Sequence, residues 1–371
     1  MLDSATEAAL ASCRRDLPER LPETHVVHGF DGYCDRVRTM VDARTGPEEY
    51  DRMDDLSALS ARIGGSVDLG TSCSIEWFTE DSRAGGHTSH FGRAFARLGF
   101  EPTLVGTYGD PPRSIFEEEL DGCELRSVGS PSYTDAVEFD DGKLMLNEIG
   151  SMASLDWERL RERLSVQQLA TAIDGAPVLS MGYWATIPFL PTIWRGLRRE
   201  VWPVLTDPPR TVFVDPADIR RLSTERLTAG LDSLAALDDT VPVVVSANRA
   251  ETAVFADLGE STATEMREQA IAARELLGVS EFVAHAADRA VRVDEDGTAT
   301  VRTPHVAKPT LTASAGDHFN VGYVLGQLLG LGGPSSLLLG NAVANWFLRR
   351  GEPPTYGELL GFLSRFDSYF E

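Results

Sequence analysis

Six short, uninterrupted apolar runs constrain this chain more than any other feature: HVVHGF at 25–30, PTLVGTYG at 102–109, PVLSMG at 177–182, TVFVDP at 211–216, PVVVSAN at 242–248 and EFVAHAA at 281–287. Each is too short for a helix and lacks the polar alternation of a strand with one wet face. Such runs belong to strands covered on both sides, as in a parallel sheet sandwiched between helices. Amphipathic stretches, such as the one through Phe95 and Leu98, separate them and supply the covering helices. The expectation is a doubly wound α/β domain, and 371 residues with 42% hydrophobic side chains are enough to fill its core.

Two regions break that rhythm. Residues 64–84 and 132–150 are polar, β-rich and lack an adjoining helix. They read as an antiparallel accessory sheet, with the DDGK turn at 140–143 closing a hairpin, placed as a flap over a site. Trp77 and Phe78 read as packing within this flap and Lys143 as solvated; an exposed flap edge could pair with a second copy of the chain. Residues 1–24, with Ala8, Ala9, Leu10 and Leu17 before Pro18 and Pro22, read as an amphipathic extension on the outside of a domain spanning 25–371.

Charge narrows the partners. With 34 basic and 57 acidic side chains, the net charge of −23 repels nucleic-acid phosphates and anionic lipid. Lys143 and Lys308 are the only lysines, and the acidic residues are spread along the chain, a pattern suited to a high-salt cytosol where carboxylate repulsion is screened. No apolar run is long enough to span a bilayer, and a cytoplasmic location is expected. Cys13, Cys34, Cys73 and Cys123 include no C-x-x-C pair and read as reduced structural thiols. His25, His28, His87 and His305 have no metal-ligand spacing and read as structural.

The chemistry concentrates at 311–331, LTASAGDHFNVGYVLGQLLGL, read as a strand end, small residues, an Asp and then a helix. Ser314, Ala315 and Gly316 would let backbone N–H groups approach an anion at the positive end of the helix. Asp317 would lie beside that anion; its other reading is a carboxylate that satisfies free N–H groups of the first turn.

This segment resembles the A-G-D signature of the ribokinase-like (PfkB) carbohydrate kinases, and further landmarks follow the family's order over about residues 25–368. GFDGYCD at 29–35 resembles the first strand and its substrate aspartate, making Asp35, with Asp31 beside it, substrate-binding. GGHTSHFGRAFARLG at 85–99 resembles the double-glycine motif, so Gly85, Gly86 and His90 would face the substrate. GTYGDPPRSIFEEEL at 106–120 is similar to a G-x-x-G-x-D-x-x-G segment, and TVFVDP to a strand ending in Asp-Pro. NRAE at 248–251 matches N-x-x-E, and the stretch from Asn341 to 363 fits the closing helices.

The resemblance implies a three-layer αβα sandwich with a mostly parallel sheet and a small β-sheet lid. It implies phosphoryl transfer from ATP to a hydroxyl of a sugar or nucleoside, with Asp317 as base and the 314–317 backbone holding the phosphoryl charge. Asn248 and Glu251 would order water around Mg²⁺, and His285 and Asn341 would lie on the nucleotide side.

Three departures from the family pattern affect these expectations. Leu311 and Ser314 replace the Asp and the first Gly of D-T-x-G-A-G-D, so activation by a monovalent cation does not carry over. His90 stands where the family has Asn. AHAADRAV at 284–291 replaces a glycine-rich nucleotide loop, and His285 there is similar to a histidine of ADP-dependent sugar kinases, which are usually longer. An ADP-dependent or nucleoside kinase, or a weakened metabolite-binding protein of the same fold, are the alternatives. P-loop, G-x-S-x-G and H-E-x-x-H signatures are missing from the sequence, which removes the main support for other enzyme classes.

Overall fold

The computed structural model describes residues 2–47 and 49–370. All six apolar runs form strands: Val26–Phe30, Pro102–Gly106, Val178–Gly182, Thr211–Val214, Val243–Asn248 and Glu281–His285. They pair in parallel within a nine-stranded sheet. Glu124–Ser127 adds a parallel edge on one side, and Arg289–Asp294 with Gly297–Arg302 adds an antiparallel edge on the other.

The reason for unbroken apolar runs is visible in the packing. Val27, Leu179, Val212, Val214, Val243 and Val245 enter one core, and their neighbours Val26, Val178, Phe213 and Val244 enter the other. The second core is closed by the helices His87–Leu98, Ala315–Leu328, Gly333–Arg350 and Tyr356–Leu363. The result is the expected three-layer αβα sandwich.

The amino-terminal helix Ser4–Asp16 is capped by Asp3, whose carboxylate accepts the Thr6 N–H at 2.8 Å. It buries Ala9, Leu10 and Cys13 in the second core, while Ala8 faces solvent. The Cys13 thiol donates to the Ser335 carbonyl at 3.4 Å, so this helix is part of the packed body.

The lid departs from the sequence reading. Its sheet contains Tyr33–Arg44, Tyr50–Arg52, Trp77–Gly85, Ser132–Phe139 and Gly142–Glu148. The longest strand, Tyr33–Arg44, pairs antiparallel with Trp77–Gly85 but parallel with Ser132–Phe139, so the sheet is mixed. Residues 64–68 belong to the helix Leu56–Asp68, not to the sheet. Leu56, Leu59, Ile63 and Val67 recur at helical spacing, and Leu59 packs against Met40, Met53, Val137 and Phe139.

Candidate active site

The helix Ala315–Leu328 begins from Ser314, which adopts a left-handed conformation at φ 67°. The segment before it is irregular, not the strand end expected, because the last strand of the sheet stops at Arg302. Two cavities meet at this first turn. Ser314 lines one of about 380 Å³ beneath the lid, and Ala315 and Gly316 line one of about 730 Å³ on the other side. Asp317 is buried in the same turn, at 8% exposure.

Burial pushes the Asp317 carboxyl up to about 7, with Asp35 and Glu251 adding repulsion. Tyr183 opposes this by donating its hydroxyl to Asp317 Oδ1 at 2.5 Å, which favours the charged form. Asp215 is raised well above the carboxylate range by burial and by Asp317, Glu251 and Asp31. A buried set of carboxylates that raise one another in this way is poised both for proton transfer and for a cation.

The lid-side cavity is lined by Asp35, Arg83, His90, Arg93, Glu119 and Thr134, among others. The paired glycines make room for the two aspartates. A Cβ on Gly85 would lie 2.0 Å from Asp35 Oδ2, and one on Gly86, at φ +89°, would lie 2.5 Å from Asp31 Oδ2. The roles of those aspartates differ from the sequence reading. Asp35 faces the cavity, but Asp31 is fully buried and accepts the His87 and Thr88 N–H groups at 2.7 and 2.9 Å. Asp31 therefore caps the helix His87–Leu98 and does not reach the cavity. Trp77 and Phe78 also stay outside it: Arg38 lies over Trp77, and Phe78 stacks on Tyr50. Lys143 lines the cavity and pairs with Glu138 at 2.7 Å instead of being merely solvated.

Two departures from the family pattern turn out to be one. His90 Nε2 and Ser314 Oγ lie 2.9 Å apart. Burial holds His90 well below the usual imidazole range, so a neutral ring meets the hydroxyl of the strained N-cap residue. His318 Nδ1 lies 2.8 Å from the Ser314 carbonyl. His90→Asn and Ser314→Gly are therefore expected to be non-additive in chemical denaturation, with a coupling of about 0.5–3 kcal/mol. Strict additivity in that double-mutant cycle would mean the contact stabilises nothing.

The second cavity is lined by three of the residues read as nucleotide- or Mg²⁺-side, Asn248, His285 and Asn341, together with Gly316 of the Asp317 turn, whereas Glu251 does not line it. His285 stacks on Phe319 at 4.7 Å, and burial lowers it to about 4, so it offers a neutral ring. Asn341 donates to the Arg302 carbonyl at 3.2 Å, tying its helix to the antiparallel edge. Asn248 and Glu251 form a reciprocal capping box on the helix Arg249–Leu258. Asn248 Oδ1 accepts the Ala250 and Glu251 N–H groups, and Glu251 Oε2 accepts the Asn248 N–H at 2.9 Å.

Sequence reasoning missed Tyr183 and gave Asp215 no role. Both follow the carboxyl ends of parallel strands, where an open α/β sheet presents its ligand-binding groups; that position was the available signal. His87 has no metal spacing in sequence, yet a ligand atom of its ring lies within 4.8 Å of oxygens of Asp215 and Asp317. His28 and His25 are structural: His28 Nδ1 meets Ser180 Oγ at 2.5 Å, and His25 Nε2 meets the Ala172 carbonyl at 2.6 Å.

An αβα body, a β-sheet lid and a buried aspartate at a helix start between two cavities define a ribokinase-like carbohydrate kinase. Solved structures share the fold. Ribokinase from Arabidopsis thaliana, complexed with ribose and ATP, superposes with a TM-score of 0.63 at 15% identity, covering 92% of this chain and 99% of its own. Ribokinase from Thermotoga maritima gives 0.62 at 17% identity, covering 92% and 100%. The prokaryotic ketohexokinase family model matches residues 2–366, and the chain belongs to that family. The ketohexokinase of Haloferax volcanii is 48% identical over 369 residues, spanning 100% of this chain and 98% of that protein.

Proposed function

We propose that this carbohydrate kinase transfers the terminal phosphoryl group of ATP to a hydroxyl of a ketohexose, with Asp317 as the base. The observation that carries this reading is Asp317, buried in the first turn of a helix whose start lines both cavities, Ser314 on the lid side and Ala315 and Gly316 on the nucleotide side. The 48% identical ketohexokinase supports the acceptor, and the ATP-bound ribokinase of the same fold supports the donor.

The sugar enters beneath the lid, where Asp35 accepts hydrogen bonds from its hydroxyls. Asp317 takes the proton of the reacting hydroxyl as its oxygen forms the new bond to phosphorus, and the bond to the leaving ADP oxygen breaks. Backbone N–H groups at 314–317 face the charge that develops on the phosphoryl oxygens. Lid closure keeps water from competing as acceptor. Glu251 and Asn248 would order water around Mg²⁺ only through the atoms that their capping box leaves free, and the ion would neutralise phosphate charge.

Incubation with Mg²⁺, either ATP or ADP, and a panel of ketoses, aldoses and nucleosides is expected to give a ketohexose monophosphate with ATP, read by mass spectrometry. Product from ADP alone would reassign the donor. Product from nucleosides alone would reassign the acceptor.

The pH dependence follows from the tyrosine contact. Asp317 must be ionised to accept a proton, so kcat should rise as pH passes through about 7. Tyr183 favours the ionised form; Tyr183→Phe should therefore move this limb to higher pH and lower kcat at neutrality. An unmoved limb would remove Tyr183 from the control of the base.

The protein is further read as cytoplasmic and adapted to high salt, and no helix among the described residues is long and apolar enough to cross a membrane. Its melting temperature should be higher in molar KCl than in dilute buffer, since screening relieves repulsion in a chain of net charge −23. Equal melting would leave the acidic surface without that role. Val67, Leu69, Met145 and Leu146, exposed on the lid and its helix, support pairing of two copies there.

A further inference from the structure

A cavity of about 560 Å³ lies outside the active site, lined by Val306, Ala307, Lys308, Trp346, Arg349, Arg350, Phe362, Arg365 and Tyr369. Its lining carries four cations and no carboxylate, in a chain of net charge −23. None of the four makes an ion pair within the described residues, although most cationic side chains elsewhere do. The nearby acids are engaged elsewhere: Asp367 pairs with Arg14 at 2.7 Å, and Glu352 with Arg97 at 2.9 Å. Glu358 is held below the usual carboxylate range first by the Thr355 N–H and hydroxyl that bind it, with Arg97 and then Arg350 adding attraction.

The cations are also held in place. Arg349 lies 4.5 Å over the Tyr369 ring, donates to Asn345 Oδ1 at 2.8 Å and to the His305 carbonyl at 3.3 Å. Arg350 lies 5.4 Å over the Trp346 ring. Both end the helix Gly333–Arg350, where positive charge complements the helix dipole. That accounts for two of the four; Lys308 and Arg365 come from separate segments and converge on the same cavity.

We propose that this cavity is a second ligand site that binds a small phosphate-bearing anion, with Lys308, Arg349, Arg350 and Arg365 as its charge-matching groups. Guanidinium groups spread over an aromatic floor present forked N–H donors that match phosphate oxygens. The volume suits a compact metabolite. The site shares a wall with the nucleotide-side cavity: Val306 lines both, and the Arg349 partners Asn345 and His305 line the nucleotide side. An anion that grips Arg349 therefore acts on groups that shape the donor cavity, and any effect on donor affinity is reciprocal.

The test uses the full protein with both active-site cavities filled by fructose and a non-hydrolysable ATP analogue. Pyrophosphate and glycerol 3-phosphate are then titrated by calorimetry. Lys308→Gln with Arg365→Gln is the variant, because both side chains are exposed and neither makes a side-chain hydrogen bond within the described residues. Binding of one or both probes to the filled enzyme is expected, weakened at least about tenfold in the variant, with unchanged KM for sugar and donor. Binding of pyrophosphate alone would identify an inorganic oxyanion as the ligand class; binding of glycerol 3-phosphate would identify an organic phosphate. Failure of both probes to bind the filled enzyme, equal binding by the variant, or a raised donor KM would each overturn the proposal.

Discussion

Asp317→Asn should lower kcat by about 10²–10⁴-fold while leaving the affinities for sugar and nucleotide close to those of the parent protein. The substitution keeps the shape and removes the charge that accepts the proton. Asparagine can still receive the Tyr183 hydroxyl at its amide oxygen, so the 2.5 Å contact has a partner in the variant. The loss should therefore appear in kcat, with KM nearly unchanged, in steady-state kinetics with matched calorimetric binding. Retained turnover would mean that another group takes the proton. Asp215 is the nearest rival, but its oxygens accept from the Ala217 N–H at 2.9 Å and from Asn320 at 2.9 Å, which leaves it less free to do so.

The adjacent glycines should fail in different ways. In Gly85→Ala the new methyl would fall 2.0 Å from Asp35 Oδ2, so either the carboxylate turns away or the lid strand shifts. The expected result is a rise in sugar KM of at least about tenfold with donor KM unchanged, since one charge-assisted hydrogen bond is worth about 1.5–3 kcal/mol. In Gly86→Ala a φ of +89° and a Cβ 2.5 Å from Asp31 Oδ2 act together. Displacing Asp31 strips the cap from the buried start of the helix His87–Leu98, and a loss of about 1–3 kcal/mol in stability is expected. If both variants lost only stability, Asp35 would not be the group that reads the sugar.

The main sheet was legible because burial on both faces writes itself into a strand as continuous Val, Leu and Ala. The lid was less so. Tyr33–Arg44 follows the first strand after only Asp31 and Gly32, and its half-exposed mixture of Arg, Asp and Val imitates a loop. The helix Leu56–Asp68 has an apolar period at Leu56, Leu59, Ile63 and Val67, but Gly64 and Gly65 interrupt it and obscured the helix.

Asp317, Asp35, Gly85 and Gly86 could be singled out as site candidates because local motifs mark them, and His285 because it ends an apolar strand run. Asp31 was misread because its neighbour in sequence faces the cavity, whereas its own carboxylate is consumed by a helix start more than fifty residues later. Tyr183 belongs to no motif, and its contact with Asp317 spans 134 residues of sequence. His90 and Ser314 do lie in motifs, but they are 224 residues apart, and each reads alone as a departure and together as a contacting pair.

The measurement that bears most directly on Asp317 is a crystal structure of the Asp317→Asn protein with fructose and a non-hydrolysable ATP analogue. The acceptor hydroxyl should lie within about 3 Å of the residue 317 side chain, in line with the terminal phosphorus, with the phosphoryl oxygens against the N–H groups of 314–317. A sugar bound beneath the lid whose hydroxyls all lie beyond hydrogen-bond reach of residue 317 would contradict its role as the base.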